Sequence, residues 1–367
     1  MAERLRVGLI GANASAGWAA RSHLPALAGA PDVELAAVCT TRMETANEAR
    51  ERYGARLAFD DWRALIACDE VDAVCVSLRV PNHLEPALAA IAAGKHVYTE
   101  WPLGRDTAEA ERMAAAAREA GVHAMVGLQS RRSAELTYLR ETIATGGIGE
   151  VVSVGLTQYL AGGRERPSSR TWMADPAMGA NTLTIQFGHA IDGVIWAAGA
   201  IESLHAHLST ESPQWFETDT GRTVEVTSPD SVSLTGRLQS GALLTAHVHS
   251  VPWHGTGHRI VVYGSEGTLV LEQPRGATGP HTGGATVSRA GRNDDALEPV
   301  AVEQEAWVSE AGLGGAAVNV AKAWQAFEAG IACGKHMPPT FDDAVVHHRL
   351  IDAVRRSAET GAQVAVG

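Results

Sequence analysis

The sequence is short of several things, and each shortage removes a class of function. Only four of its 367 residues are cysteine (Cys39, Cys68, Cys75 and Cys333). They lie far apart with no Cys-x-x-Cys pair, so neither a disulfide framework nor a zinc site is written in them. Cys39 and Cys75 fall inside apolar, strand-like runs and read as buried free thiols. Basic residues are outnumbered, 30 Lys and Arg against 42 Asp and Glu, for a formal charge of −12. That balance argues against nucleic-acid binding through a broad basic face. No apolar run is long enough to span a bilayer, and Met1-Ala2-Glu3-Arg4 leads into a strand with no secretory leader. The expectation is a soluble, cytoplasmic protein with neither a membrane nor a nucleic-acid partner. No internal repeat is present. What remains is length for two domains and 45% hydrophobic content, enough for real cores.

The first feature that is present is an apolar strand feeding a glycine-bearing turn, Leu5-Arg6-Val7-Gly8-Leu9-Ile10-Gly11-Ala12-Asn13-Ala14-Ser15-Ala16-Gly17-Trp18. A strand, a tight turn and a helix leave backbone N–H groups and a positive helix end where a pyrophosphate can sit. Two glycines of the Gly-x-Gly-x-x-Gly fingerprint are missing: counting from Gly11, their places are taken by Asn13 and Ala16. Asn tolerates left-handed backbone and Ala is small. Gly11, Asn13, Ala14, Ser15, Gly17 and Trp18 are therefore the expected cofactor-binding stretch, with a helix from about Ala14. Any strand-to-helix turn can use glycine, but here the strand Val33–Cys39 follows at the distance a βαβ unit requires.

Strand-like runs at 71–78, His96–Glu100 and 122–128 alternate with helical ones at Met43–Tyr53, 85–93 and Thr107–Ala120, the last two closed by Gly94 and Gly121. The reading is α/β, with an N-terminal Rossmann-type doubly wound parallel sheet over residues 1–128. From Gln129 the runs alternate more clearly (151–159, 231–239, 242–250, 258–263, 268–272), as in a sheet with one covered face. Residues 129–367 thus read as a C-terminal α+β domain with an open, mainly antiparallel sheet. Helices are expected at 134–145, 316–330 and 342–361. Residues 274–295, rich in Gly, Thr and Arg, read as a loop without core-forming residues.

A further absence falls at the end of the second strand. An acidic residue there would hydrogen-bond the 2′-hydroxyl of NAD, but the stretch is Cys39-Thr40-Thr41-Arg42, with no carboxylate before Glu44. Two hydroxyls and a guanidinium suit a 2′-phosphate better, so NADP is favoured as cofactor, NAD remaining possible. Alternatively Thr40 or Thr41 caps the next helix and Arg42 is solvated.

Three motifs then carry a family resemblance: Gly94-Lys95-His96-Val97-Tyr98-Thr99-Glu100-Trp101-Pro102, Gly146-Gly147-Ile148-Gly149-Glu150-Val151 and Gly188-His189-Ala190-Ile191-Asp192. With them the chain resembles the glucose–fructose oxidoreductase, inositol dehydrogenase and rhizopine-catabolism superfamily (Gfo/Idh/MocA) over nearly its whole length. Asn13 with Gly17-Trp18-Ala19, the Glu100-Trp101 pair, Leu128-Gln129-Ser130-Arg131-Arg132-Ser133, Phe187-Gly188-His189 and His348-Arg349-Leu350-Ile351 are similar to the branch containing the fungal repressor of galactose metabolism and its bacterial relatives. The resemblance implies substrate binding and oligomerisation by residues 129–367, a cis bond at Trp101-Pro102, a homodimer or homotetramer, and a proton-handling role for His189. It also exposes two losses. Most enzymes of the superfamily have lysine where Trp101 stands and aspartate where Ile185 stands, four residues before His189.

The candidate residues carry alternatives. His189 is either a substrate-facing acid–base group or a core histidine at a helix start; Asp192 orients it or is a structural charge. Trp101 offers the nicotinamide a flat apolar wall and one N–H donor but no fixed positive charge. Leu78 and Arg79 follow the third strand, where backbone should line the cofactor cleft, and Arg79 is a cleft residue or an exposed charge. His83 caps its helix or touches cofactor. Glu100 and Gln129 are placed with the cofactor, while Arg131 reaches substrate or forms a structural salt bridge. Trp172, Asn181 and Gln186, in a segment also holding Tyr159, Arg164 and Asp175, suit a polyhydroxylated ligand. Asn181 joins His189 and Trp101 as a catalytic candidate. His247 and His249 share a strand face, but no carboxylate or cysteine nearby completes a metal site, and none is expected. The sequence therefore points to an NAD(P)-dependent oxidoreductase, NADP(H) favoured, acting on a small molecule: a sugar, sugar derivative or related carbonyl or hydroxyl compound. The alternatives are a nicotinamide-binding sensor or regulator without turnover, and a redox-neutral NAD-dependent glycosidase.

Overall fold

The computed structural model describes residues 4–366, which form two compact units. Residues 1–3, where no leader was expected, and residue 367 lie outside the described residues. The first unit gathers Met1–Arg132 and Gln304–Val346. Its sheet has six strands: β1 (Leu5–Ile10), β2 (Val33–Cys39), β3 (Leu57–Phe59), β4 (Ala73–Val76), β5 (His96–Glu100) and β6 (Ala124–Gly127). All pair in parallel, in the order β3-β2-β1-β4-β5-β6. The order reverses between β1 and β4, the switch point at which doubly wound sheets bind ligands. β4 (Ala-Val-Cys-Val) is buried throughout, because helices cover both faces of a parallel sheet and leave no polar side for alternation.

Local chemistry sets the helix ends. Asp106 accepts the Glu109 amide and opens Thr107–Ala120, and Gly121 closes it at φ 65°. The helix expected from Ala14 is instead two short ones, Gly17–Arg21 and His23–Gly29. They break at Ser22, whose hydroxyl donates to the Trp18 carbonyl at 2.7 Å; serine competes for backbone acceptors in this way.

The units are not the contiguous segments 1–128 and 129–367 of the sequence reading, because Gln304–Val346 returns to the first unit. Its helix Ala316–Cys333 brings Trp324 and Phe327 into the core. Trp324 stacks on Tyr98 of β5 with centroids 4.9 Å apart and lies edge-on to His23 and Phe327. Burying one indole is worth about 4–6 kcal/mol of gross transfer energy, which outweighs proximity along the chain.

The second unit comprises Ser133–Glu303 and His347–Gly367. Its strands are β7 (Val151–Leu160), β8 (Glu165–Arg166), β9 (Ile201–Ser209), β10 (Gln214–Glu217), β11 (Thr223–Glu225), β12 (Ser231–Leu238), β13 (Leu243–Ser250), β14 (Gly257–Gly264), β15 (Gly267–Gln273), β16 (Thr286–Gly291), β17 (Glu298–Val300) and β18 (Val364–Ala365). Nine of them form one sheet, β17-β16-β15-β14-β7-β13-β12-β9-β18; a small sheet holds β11-β10-β8. The large sheet is mixed and mainly antiparallel, with β7 and β13 parallel. β12 alternates buried Val232 and Leu234 with more exposed Ser231, Ser233 and Thr235, so one face is covered and the other open. Residues 274–295 correct the sequence reading. They contain β16, which pairs with β15, and Val287 is 2% exposed; Pro280 and His281 are also buried. The dense Gly and Thr of this stretch hid a single apolar anchor from periodicity. Among the described residues, no helix is long and apolar enough to cross a membrane.

Candidate functional site

The C-terminal ends of β1 and β4 meet at the switch point of the first unit, where the glycine-bearing turn lies. Gly11 has φ 89°, and a Cβ there would collide with the Ser77 carbonyl oxygen. The amides of Gly11 and Ala12 both donate to the Cys39 carbonyl, at 2.9 and 3.1 Å, clamping the turn to the end of β2. Beyond it, Asn13, Ser15, Ala16 and Gly17 are exposed, while Ala14 is buried and Trp18 half-buried. Asn13 Oδ1 accepts the amides of Ser15 and Ala16 at 2.9 and 3.1 Å. The side chain thus closes a turn that glycines would otherwise close with backbone alone. Ser15 Oγ donates to Glu48 at 2.8 Å. A cradle that one Cβ would fill, opening toward a helix start at the switch point, fits a dinucleotide pyrophosphate. Gly11→Ala is expected to cost more than about 2 kcal/mol of stability, read as a lower urea midpoint; an unchanged midpoint would show that the close approach is dispensable.

At the end of β2, Thr40 Oγ1 bonds the Arg42 carbonyl (2.8 Å) and Thr45 Oγ1 (2.6 Å). Arg42 is the N-cap of Met43–Tyr53 without a side-chain cap bond. Its side chain is 68% exposed and 3.8 Å from Glu44. Thr41 is also exposed.

Leu78, half-buried, and exposed Arg79 follow β4. His83 is buried and spans two loops: Nε2 lies 3.0 Å from the Leu78 carbonyl, and Nδ1 3.0 Å from that of Pro102. Burial holds its pKa below the usual histidine value, against the pull of those carbonyls. His83 makes no side-chain cap. Trp101 is buried and its bond to Pro102 is cis. Before it, the Glu100 carboxylate is buried, with Gln129 Nε2 at 3.0 and 2.8 Å from its two oxygens and His23 Nε2 bonded to Oε1. Trp324 Nε1 donates to His23 Nδ1 at 3.1 Å, so His23 carries its proton on Nε2. The amide nitrogen of Gln129 is therefore committed inside the unit. A Cβ on Gly127 would come within 2.6 Å of Glu100 Oε2. Arg131 pairs with Asp343 at 3.5 Å, the structural alternative kept open for it. His23 and Trp324 escaped the sequence reading because their partners are distant along the chain. Cys39 is an inert thiol, its pKa pushed up to about 12 by burial and then by Asp61 and Asp60.

In the second unit, short turns Ser168–Ala174 and Pro176–Met178 lead into a π-helical turn, Thr182–Phe187, which runs into the helix Gly188–Ala198. π-turns inside helices are rare and concentrate at functional sites. Asn181 caps this one: its Oδ1 accepts the Thr184 amide at 3.2 Å, and Thr184 Oγ1 accepts the Asn181 amide at 3.0 Å. Its side-chain oxygen is thereby committed to the fold. Trp172 is half-buried in the first turn, and Gln186 Oε1 is buried without a hydrogen-bond partner among the described residues. His189 and Asp192 are both buried in the first turns of the helix, and His347 Nε2 donates to the Gly188 carbonyl at 2.8 Å. Tyr159 lies on the other sheet face from Gln158, bonded to His247 at 2.9 Å. His281, from the turn Pro280–Thr282, lays its ring on His189, centroids 4.2 Å apart. The sequence reading missed it, although a Pro-His pair between glycines in an otherwise polar stretch was the available signal. Among the described residues, no group of three or more His, Cys, Asp or Glu could hold a metal ion.

Comparison with known proteins agrees with both units. Residues 5–128 match the oxidoreductase family with the NAD-binding Rossmann fold, and residues 135–273 match the C-terminal domain of Gal80p. The chain is 27% identical to the dehydrogenase aclE of Aspergillus oryzae over 98% of each. It is 27% identical to the galactose/lactose metabolism regulatory protein GAL80 of Saccharomyces cerevisiae over 65% of this chain and 58% of that one. The structure of levoglucosan dehydrogenase in complex with NADH and L-sorbose shares the fold, with a TM-score of 0.85 at 24% identity over 100% of this chain and 99% of that one. Residues 5–128 therefore form a Gfo/Idh/MocA domain of the NAD-binding oxidoreductase kind, followed by a second domain of the Gal80p C-terminal kind.

Proposed function

We propose that this protein is an NAD(P)-dependent dehydrogenase or reductase that favours NADP(H) and acts on a sugar, sugar derivative or related carbonyl or hydroxyl compound. The observation that carries the reading is the pair of turns after β1 and β2: a closed cradle at Gly11–Gly17 beside an exposed Thr41-Arg42 edge with no carboxylate before Glu44. Nicotinamide, when bound, supplies the two-electron chemistry. Gly11, Asn13, Ser15 and Gly17 would hold the pyrophosphate, Arg42 the 2′-phosphate, and buried Trp101 would wall the ring. His189 would take up the substrate proton and, once protonated, return it, and Trp172 and Gln186 would contact the substrate. The substrate class is supported by relatives such as levoglucosan dehydrogenase. We further propose a cytoplasmic homodimer or homotetramer; a concentration-independent monomer in light scattering would contradict it.

The test follows reduced-nicotinamide absorbance with NADP⁺ or NADPH and a panel of sugars, including levoglucosan and L-sorbose, polyols and ketones. Steady turnover with one of them supports the reading. Arg42→Ala should weaken NADPH about 10-fold or more, the worth of a charge-assisted contact, and leave NADH unchanged; tighter binding of NADH than NADPH by the native protein would overturn the preference. A second reading, a nicotinamide-binding regulator without turnover, is favoured by Trp101 and Ile185 in place of the family's Lys and Asp and by the Gal80p-like second domain. Cofactor binding with no absorbance change across the panel would select it.

A further inference from the structure

We propose that His281 is a positioning residue for His189: its ring fixes the plane of the His189 imidazole and makes the two rings take up protons as one unit. The functional meaning rests on His189 being the acid–base residue; the pairing itself does not. The rings lie 4.2 Å apart and 14° from parallel, and the residues are 6% and 7% exposed. A histidine ring turns in a broad χ2 well, so a flat neighbour removes freedom that a general base must lose to meet its proton in line. Burial makes the first proton on two stacked imidazoles costly, and the charge it brings 4.2 Å from the second ring makes the second proton costlier still.

The fold builds this contact deliberately. His281 sits in the turn Pro280–Thr282 between Gly279 (φ 125°) and Gly283 (φ 72°). Its Nε2 lies 3.3 Å from Thr278 Oγ1, and Gln273 Nε2 ties the far side of the turn by donating to the Gly283 carbonyl at 2.6 Å. A Cβ on Gly279 would press within 3.1 Å of His281 Nδ1 and 3.4 Å of Gln158 Oε1. Behind it His258 Nδ1 donates to Gln158 Oε1 at 2.8 Å, and burial keeps His258 neutral, its pKa lowered to about 3. The other titratable groups on elements packed around the pair are Asp192 on the same helix, His347 at the Gly188 carbonyl, its neighbour His348 (pKa lowered to about 3 by burial), and Glu135, Tyr138, Arg140 and Glu141 on the helix Ala134–Ala144. Arg140 is engaged over the Trp196 ring at 3.7 Å. Tyr159 of β7 faces the opposite side of the sheet.

The test is an NMR titration of histidine-labelled protein from about pH 9 to about pH 4, with the His189 signal assigned from its loss in H189Q. In the native protein both rings are expected to titrate in two steps at least about one pH unit apart. In H281F, which keeps a stacked ring but cannot ionise, His189 should titrate in one step; H281Q gives the same one-step readout if H281F does not fold. G279A, which changes no titratable group, should displace the His189 signal. A single step with the same midpoint in native protein and H281F or H281Q overturns the proposal. Full turnover by H189A alongside a two-step titration would instead remove the catalytic reading of His189 and leave the coupled pair standing.

Discussion

His189→Ala is expected to lower nicotinamide turnover by about 10²–10⁴-fold, the worth of a positioned general acid–base group, while the Kd for NADPH changes by less than about twofold. The asymmetry follows from where the residues lie. The turn after β1, the edge after β2 and Trp101 all belong to the first unit, whereas His189 is buried at the start of a second-unit helix. Neither of the other two catalytic candidates has the same chemistry. The Asn181 carbonyl is committed to a helix cap, and Trp101 offers neither a titratable proton nor a charge. With lysine and aspartate absent from positions 101 and 185, the imidazole is the remaining group of the family's set able to move a proton near neutral pH. Paired rate and fluorescence-binding measurements on one preparation check this. Unaltered turnover would remove His189 from the mechanism, and a parallel loss of NADPH binding would show that the substitution disturbed more than the proton.

Acid is expected to unfold the second unit steeply. His258 and His348 are buried with pKa values lowered to about 3, against 6.5 in the unfolded chain, desolvation being the main cause for both. The unfolded chain therefore binds protons first. The stability that these groups contribute is complete above pH 6.5 and is lost as pH falls toward about 3. Each group adds about 1.4 kcal/mol per pH unit to the slope within that window, or about 3 kcal/mol per pH unit for both. His83 in the first unit is shifted in the same direction, also chiefly by burial. Urea unfolding at about pH 7.5, 6 and 5 measures the slope. His258→Gln and His348→Gln should each flatten it by about one proton. A stability independent of pH across that range would mean that both imidazoles reach water in the native state.

The sequence by itself determined what depends on near neighbours. Runs such as Val33–Cys39 followed by Met43–Tyr53 make a strand and a helix wherever they fold, and Gly121 ends its helix because left-handed backbone suits glycine. The missing fingerprint glycine at Asn13 was equally legible, but not its compensation: Asn13 does not take the left-handed backbone expected of it, and its side chain bonds the Ser15 and Ala16 amides instead. The losses at Trp101 and Ile185 were visible for the same reason: motif spacing is local.

Tertiary structure decided whatever required a partner far along the chain. Trp324 packs on Tyr98 and donates to His23, so the helix Ala316–Cys333 joins the first unit although it follows most of the second. Gln129, Arg131 and Asn181 meet Glu100, Asp343 and Thr184, partners that residue type alone does not reveal; for Arg131 the salt bridge is the alternative the sequence left open. His281 is the inverse case, a residue in an apparent loop carried onto His189 by a turn between glycines. The physical reason is common to all of them. Backbone preference and side-chain spacing act over one or two turns of chain, whereas burial and hydrogen-bond satisfaction are settled only when distant segments meet.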